Sequence, residues 1–374
     1  MILNNLKIVT PNKIIDKGYI EIENGIIKNI GDKSYAGNDI TIDKKGLIAM
    51  PGFIDLHVHG NNNIDFMDFD NDDLINVEAS FYKEGVTSYL LTTLSSSHNK
   101  LKEICEKIAN IKSKTNALLG IHLEGPYINE KYRGAQNEKY IRKPNILELE
   151  EYINLSNNNI KYITLAPELD GAIDFIKYSK KNNIIISVGH SDANNNNMFD
   201  AINCGLSNVT HINNAMKKYG NIDSFIIDSA IENNLYCEFI CDLVHINKET
   251  LKGLYNKIGP KRLIMISDAL KVKNTNICEF LMEGIPAIKK EDAAYLKNGK
   301  LAGSILTIDK ALRNINELVD ATLIDLSLMS STNAANSLNL FNIGRIEENK
   351  TADIVLLDKN LNVIETYKNG IKVY

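Results

Sequence analysis

Two histidines one residue apart, His57 and His59, close the run Phe53-Ile54-Asp55-Leu56-His57-Val58-His59, which Pro51-Gly52 and Gly60 frame. The run reads as a short strand. Alternate side chains of a strand share a face, so both imidazoles project the same way. Each neutral ring offers a nitrogen lone pair, and two of them can hold one divalent cation or simply hydrogen-bond at a strand end. The rest of the chain weighs on that choice. Of seven histidines, His57, His59, His122, His190, His211 and His245 fall at or just past the C-terminal end of a strand candidate, and His98 alone does not. Glu124 ends one such strand in His122-Leu123-Glu124-Gly125-Pro126, and Asp268 follows another in Ser267-Asp268-Ala269. A single acid after a strand more commonly caps a helix. Beside several imidazoles it can ligate a metal or move protons. Two histidines and a glutamate with an open coordination position form a catalytic zinc arrangement, which polarises a carbonyl and lowers the pKa of water. A nearby carboxylate can then carry a proton to the leaving group.

The elements that must position these residues alternate. Strand candidates at 53–58, 87–91, 117–123, 162–165, 184–188, 208–210, 236–241 and 263–266 are nearly all followed by helical patterns, such as 101–111, 146–155, 173–181 and 248–258. Alternation of this kind calls for a parallel sheet, and eight units predict a (β/α)8 barrel whose site lies at the C-terminal ends of the strands. An open doubly wound sheet is the other option, but no Gly-x-Gly-x-x-Gly opens the first unit. Both chain ends differ from the middle. Short strands at 6–9, 19–23, 26–30 and 40–43, with an Asn24-Gly25 turn, match strands at 354–357, 363–367 and 371–374 with an Asn369-Gly370 turn. Residues 1–50 with 342–374 are therefore expected to form a small β-sandwich domain, and 51–341 the barrel.

Composition bounds the function. The 374 residues are 44% hydrophobic and 24% charged, with a net charge of -5. That balance argues against a nucleic-acid partner, whose phosphates call for a basic face. No apolar run is long enough to span a bilayer, and no basic, then apolar, leader opens the chain. Five cysteines, scattered and in no Cys-x-x-Cys pair, fit a reducing cytoplasm and are expected to be mostly buried hydrophobes.

Taken in order, 51–60, 122–126, Gly189-His190-Ser191, Thr210-His211 with Asn214-Ala215-Met216, Ser267-Asp268-Ala269 and Leu301-Ala302-Gly303-Ser304 resemble the N-acetylglucosamine-6-phosphate deacetylases of the amidohydrolase superfamily. The resemblance covers nearly the whole chain. It implies a metal-dependent hydrolase that removes acetate from an amino-sugar phosphate, on a barrel with a β-sandwich built from both termini. It implies Glu124, His190 and His211 as ligands of a principal metal, zinc or iron, and His57 and His59 as those of a second site, with one or two ions per subunit. It implies Asp268 as general base and acid, His245 as a group that hydrogen-bonds near the scissile amide, and Gln136, Asn214 and Ala215 as holders of the sugar and its phosphate. Homodimers, with the partner completing each site, are also implied.

The chain departs from that pattern in places. An Arg-Glu-Pro-Gly segment whose arginine reaches the phosphate is absent from 217–225, Asn213 stands at an aromatic position, Leu243 replaces a glycine, and a Gly-Gly element is missing from 271–283. Lys217 and Lys218 are expected to stand in for the arginine. Alternatives are a deacetylase of a different N-acetyl sugar, another amidohydrolase, or a non-catalytic scaffold. Other amidohydrolases commonly use a carbamylated lysine where this chain has Glu124, and a scaffold would be expected to have lost ligands.

Overall fold

The structure, a computed structural model, describes residues 1–111, 115–218 and 224–374. Eight parallel strands pair in chain order: Phe53–Val58, Val86–Thr93, Leu118–Glu124, Ile160–Leu165, Ile185–Val188, Leu206–Val209, Tyr236–Ile240 and Leu263–Ile266. Helices such as His98–Asn110, Ile146–Leu155, Ala172–Lys181 and Lys248–Ile258 cover them outside. Phe53–Val58 is buried along its whole length, as a strand with helices on one face and a filled barrel on the other must be.

The first and last strands do not share a regular ladder, and the seam between them closes at the C-terminal rim. There the Asp268 N–H donates to the His57 carbonyl (2.8 Å) and the His59 N–H to the Ala269 carbonyl (2.9 Å). Asp55, fully buried, accepts from the Ser267 hydroxyl at 2.6 Å and the Ser267 N–H at 3.2 Å. Barrel closure and the placing of His57, His59 and Asp268 are thus one event. Below the seam, Lys273, with no exposed surface, donates to Glu84 at 2.8 Å and ties the segment after the last strand to the end of helix Asn71–Lys83. Removing one partner of a buried pair strands the other charge, which costs about 3–5 kcal/mol. Lys273→Met should lower unfolding stability by that much in a urea titration, and adding Glu84→Gln to it should recover part of the loss.

Strands from both chain ends build one further eight-stranded sheet. Ile2–Val9 pairs antiparallel with Ile14–Glu23 and parallel with Ile48–Pro51, which pairs in turn with Ile354–Leu357. Asn24-Gly25 and Asn369-Gly370 form its tight turns with all four residues at positive φ, the twist that two-residue hairpins need. Strand Ile354–Leu357 shows how the sheet sits: Ile354 and Leu356 join the terminal core with Leu3, Leu6 and Ile20, whereas Val355 and Leu357 join the barrel core. Period-two alternation joins the two bodies through one strand.

One element has no counterpart in the sequence reading. Between the eighth strand and helix Ile308–Leu318, four short antiparallel strands, Glu279–Met282, Ile285–Lys289, Ala294–Leu296 and Leu301–Gly303, make a sheet over the rim. Strands of three to five residues show too little alternation to stand out, although Asn298-Gly299 is a hairpin signal. Of the cysteines, Cys105, Cys237 and Cys241 are buried and Cys278 is exposed. Among the described residues no helix is long and apolar enough to cross a membrane.

Candidate active site

The strands end where their polar residues begin. His57, Glu124, His190, His211 and Asp268 lie at or just beyond the C-terminal ends of the first, third, fifth, sixth and eighth strands. Several of these positions are strained: His190 (φ 49°), His211 (28°), Leu243 (66°) and Asp268 (48°) adopt left-handed backbone that non-glycine residues rarely take. Such strain persists only where surrounding structure imposes it, and it gathers at functional sites. At Leu243 the backbone keeps the shape that glycine would adopt freely.

Glu124 is the centre. Its Oε1 lies 3.0 Å from His190 Nε2, 3.1 Å from His211 Nε2 and 3.3 Å from His57 Nε2, and its Oε2 lies 3.4 Å from His59 Nε2. Asp268 Oδ1 sits 3.2 Å from His59 Nε2 and 3.5 Å from His57 Nε2. Each outer nitrogen but one is held. His190 Nδ1 donates to the Tyr132 carbonyl at 2.9 Å, His59 Nδ1 to the Thr92 carbonyl at 3.3 Å and His57 Nδ1 to Glu238 at 3.1 Å. These partners assign the Nδ1–H tautomer, so the Nε2 lone pairs converge on Glu124 and Asp268.

An arrangement of this kind calls for positive charge at its centre. Burial disfavours charged imidazoles at His57 and His59, yet Glu124 and Asp268 outweigh it and raise both, His59 to about 9. Burial likewise pushes the Asp268 carboxyl up, and His57 and His59 overcome it, leaving it below the usual carboxylate range. His57 Nε2 has no hydrogen-bond partner, and the His190 and His211 Nε2 atoms face each other at 3.1 Å. Protons can supply the missing charge, and a divalent cation supplies it better, because imidazole and carboxylate donors already converge in Glu124–His190–His211 and His57–His59–Glu124. A third set among the described residues, His57–His122–Glu238, has both His122 nitrogens hydrogen-bonded elsewhere. The residues fit a metal.

A cavity of about 310 Å³ opens above them, lined by His59, Glu124, Gln136, His190, His211, Asn214, Ala215, His245 and Asp268. Of the metal, catalytic and sugar-holding residues that the resemblance implied, all line it except His57. Gln136 donates to Glu124 and accepts from the Ser95 N–H at 2.6 Å. His245 Nδ1 donates to Asp242 at 2.6 Å, which leaves the other ring nitrogen for a ligand. His122, although at the same rim in sequence, has both nitrogens engaged, by the Leu56 carbonyl (3.0 Å) and the Thr164 hydroxyl (2.8 Å), and burial keeps it neutral. His98 lies in a helix and meets Tyr152 and Glu151.

The expectation for Lys217 and Lys218 needs correction. Neither lines the cavity, and Lys217 is paired with Asp192 at 3.2 Å; residues 219–223 of the 217–225 segment lie outside the described residues. The lysines that do line the cavity are Lys300 and Lys131, the latter 3.5 Å from the same Asp192. Lys300 comes from the sheet over the rim, and burial together with nearby Arg133 lowers its pKa. The sequence reading missed both because they belong to no motif.

The Amidohydrolase family model matches residues 48–373. The chain is 32% identical to an N-acetylglucosamine-6-phosphate deacetylase of Lysinibacillus sphaericus, over 99% of this chain and 97% of the relative. It is 27% identical to an N-acetylgalactosamine-6-phosphate deacetylase of Escherichia coli O157:H7, over 99% and 98%. The crystal structure of an N-acetylglucosamine-6-phosphate deacetylase from Thermotoga maritima superposes with a TM-score of 0.90 at 31% identity, covering 100% of this chain and 99% of that one.

Proposed function

The chain belongs to the amidohydrolase family, among its N-acetylglucosamine-6-phosphate deacetylases, and on that premise we propose that it hydrolyses the acetamide of N-acetylglucosamine 6-phosphate to acetate and glucosamine 6-phosphate. One observation supports this most: a single carboxylate, Glu124, stands between two imidazole pairs with Asp268 beside them, at the floor of a cavity roomy enough for a sugar.

Glu124, His190 and His211 would hold the principal cation, and His57 and His59 with Glu124 a second. When bound, the metal polarises the scissile carbonyl and makes water acidic enough to attack at neutral pH; zinc and iron both suit these donors. Asp268, held ionised by its imidazole neighbours, takes one proton from the attacking water. It then passes that proton to the amide nitrogen as the C–N bond breaks, so the amine leaves neutral, and the water's second proton is given up to solvent or the amine as acetate is released. His245, fixed by Asp242, hydrogen-bonds the substrate near that bond. Gln136 holds Glu124 in place, and Asn214 and Ala215 line the sugar's side of the cavity. The domain division at residues 50 and 342, a homodimer and a cytoplasmic location belong to the same proposal. Light scattering of the purified protein tests the dimer.

Lys131 and Lys300 are the cations we assign to the phosphate. A hydrogen bond to a charged group contributes about 1.5–3 kcal/mol, or roughly 10- to 100-fold in binding. Lys300→Ala should therefore raise KM for the phosphorylated sugar by about that factor and leave kcat/KM for N-acetylglucosamine unchanged. Added salt should weaken the phosphorylated substrate in the wild type more than in the variant. Equal losses for both sugars would move the phosphate elsewhere.

A second reading, a deacetylase of another N-acetyl hexosamine 6-phosphate, is favoured by the departures at Asn213 and 217–225 and by the relative that acts on the galactosamine epimer. Acetate release from the gluco and galacto substrates side by side decides between them: the higher kcat/KM names the substrate.

A further inference from the structure

We propose that Glu238 is the positioning residue that orients His57 toward the second cation and fixes its tautomer, an inference that rests on reading His57 and His59 as a metal pair. Glu238 lies on strand Tyr236–Ile240 inside the barrel, with no exposed surface. Among the described residues no lysine or arginine pairs with it, and its ion-pair partner is His57. A buried carboxylate is costly unless a positive or strongly donating group offsets it. Its Oε2 accepts from His57 Nδ1 at 3.1 Å and faces the His211 N–H at 3.4 Å, while its backbone carbonyl accepts from the Ile212 N–H at 2.7 Å. One residue therefore touches a histidine from each of the two donor groups.

The choice of acceptor separates His57 from His190 and His59. His190 and His59 give their Nδ1 protons to neutral carbonyls, of Tyr132 and Thr92, whereas His57 gives its own to a carboxylate. A carboxylate behind a metal-binding imidazole both locks the ring and makes its other nitrogen a better donor, and loss of such a partner typically costs about 10- to 100-fold in metal affinity. His57 Nε2, without a hydrogen-bond partner, is the atom that would benefit. A purely structural role would predict damage spread over the barrel. Positioning predicts damage confined to one ion.

The test uses Zn²⁺ as the probe and Glu238→Gln, which keeps size but not charge, with Glu238→Asp and His57→Ala beside it. Metal per chain and calorimetric titration of the metal-free proteins are measured, together with imidazole resonances of ¹⁵N-histidine-labelled protein. The wild type should take two Zn²⁺ per chain and show a low-field Nδ1–H signal that vanishes in both Glu238→Gln and His57→Ala. Glu238→Gln should keep one ion at wild-type affinity and bind the other about 10- to 100-fold more weakly. A Glu238→Gln protein that holds two Zn²⁺ as tightly as wild type overturns the proposal alone. Loss of both ions in Glu238→Gln and Glu238→Asp together would mark a structural residue and overturn it as well. A wild type that takes only one Zn²⁺ overturns the His57–His59 reading and this proposal with it, and leaves the deacetylase reading standing on Glu124, His190 and His211.

Discussion

Glu124→Ala should lose both metal ions and all deacetylation in one step. Glu124 joins the Glu124–His190–His211 and His57–His59–Glu124 groups, with Oε1 near His190 and His211 and Oε2 near His59. Its removal leaves each group two imidazoles and takes away the negative charge that offsets a divalent ion. His57→Ala, by contrast, should spare the ion at His190 and His211. Metal analysis and acetate release measured on the same samples check this. A Glu124→Ala protein that keeps its metal would move the principal site, and one that keeps its activity without metal would end the account of the chemistry.

Asp268→Asn should show the reverse pattern, with metal retained and turnover lost. The amide keeps the shape and can still meet His59, but it cannot take a proton from water or return one to the leaving nitrogen. Groups with this task contribute about 10²- to 10⁴-fold, so kcat should fall by at least that range with little change in KM. The backbone supports the variant, because the Asp268 N–H and carbonyl are engaged with His57 and Ser304 whatever the side chain. Near-normal kcat at normal metal content would require another base.

The site was legible in sequence because a barrel converts order along the chain into position around a rim. Histidines at the ends of successive strands, far apart in sequence, had to meet, and His57 and His59 meet with Asp268 where the first and last strands close. Strand-end logic cannot tell a ligand from a neighbour, however. His122 passes the same test, yet its nitrogens are taken by Leu56 and Thr164. Glu238 hid for the opposite reason: in Tyr236-Cys237-Glu238-Phe239-Ile240 it is one acid within a strand, and only the fold brings His57 to it. The sheet over the rim went unread because its strands are too short for a period, and Lys300 went unread with it. Lys217 and Lys218 fall outside the cavity lining because adjacency to a motif does not fix where a side chain points.

The most direct test of the central claim is product analysis on wild-type protein given N-acetylglucosamine 6-phosphate, with and without a chelator. The account predicts acetate and glucosamine 6-phosphate in equal amounts, loss of turnover when the metal is stripped, and its return when a divalent ion is added back. No acetate from the metal-loaded protein, or unchanged turnover from protein verified to be metal-free, would contradict it.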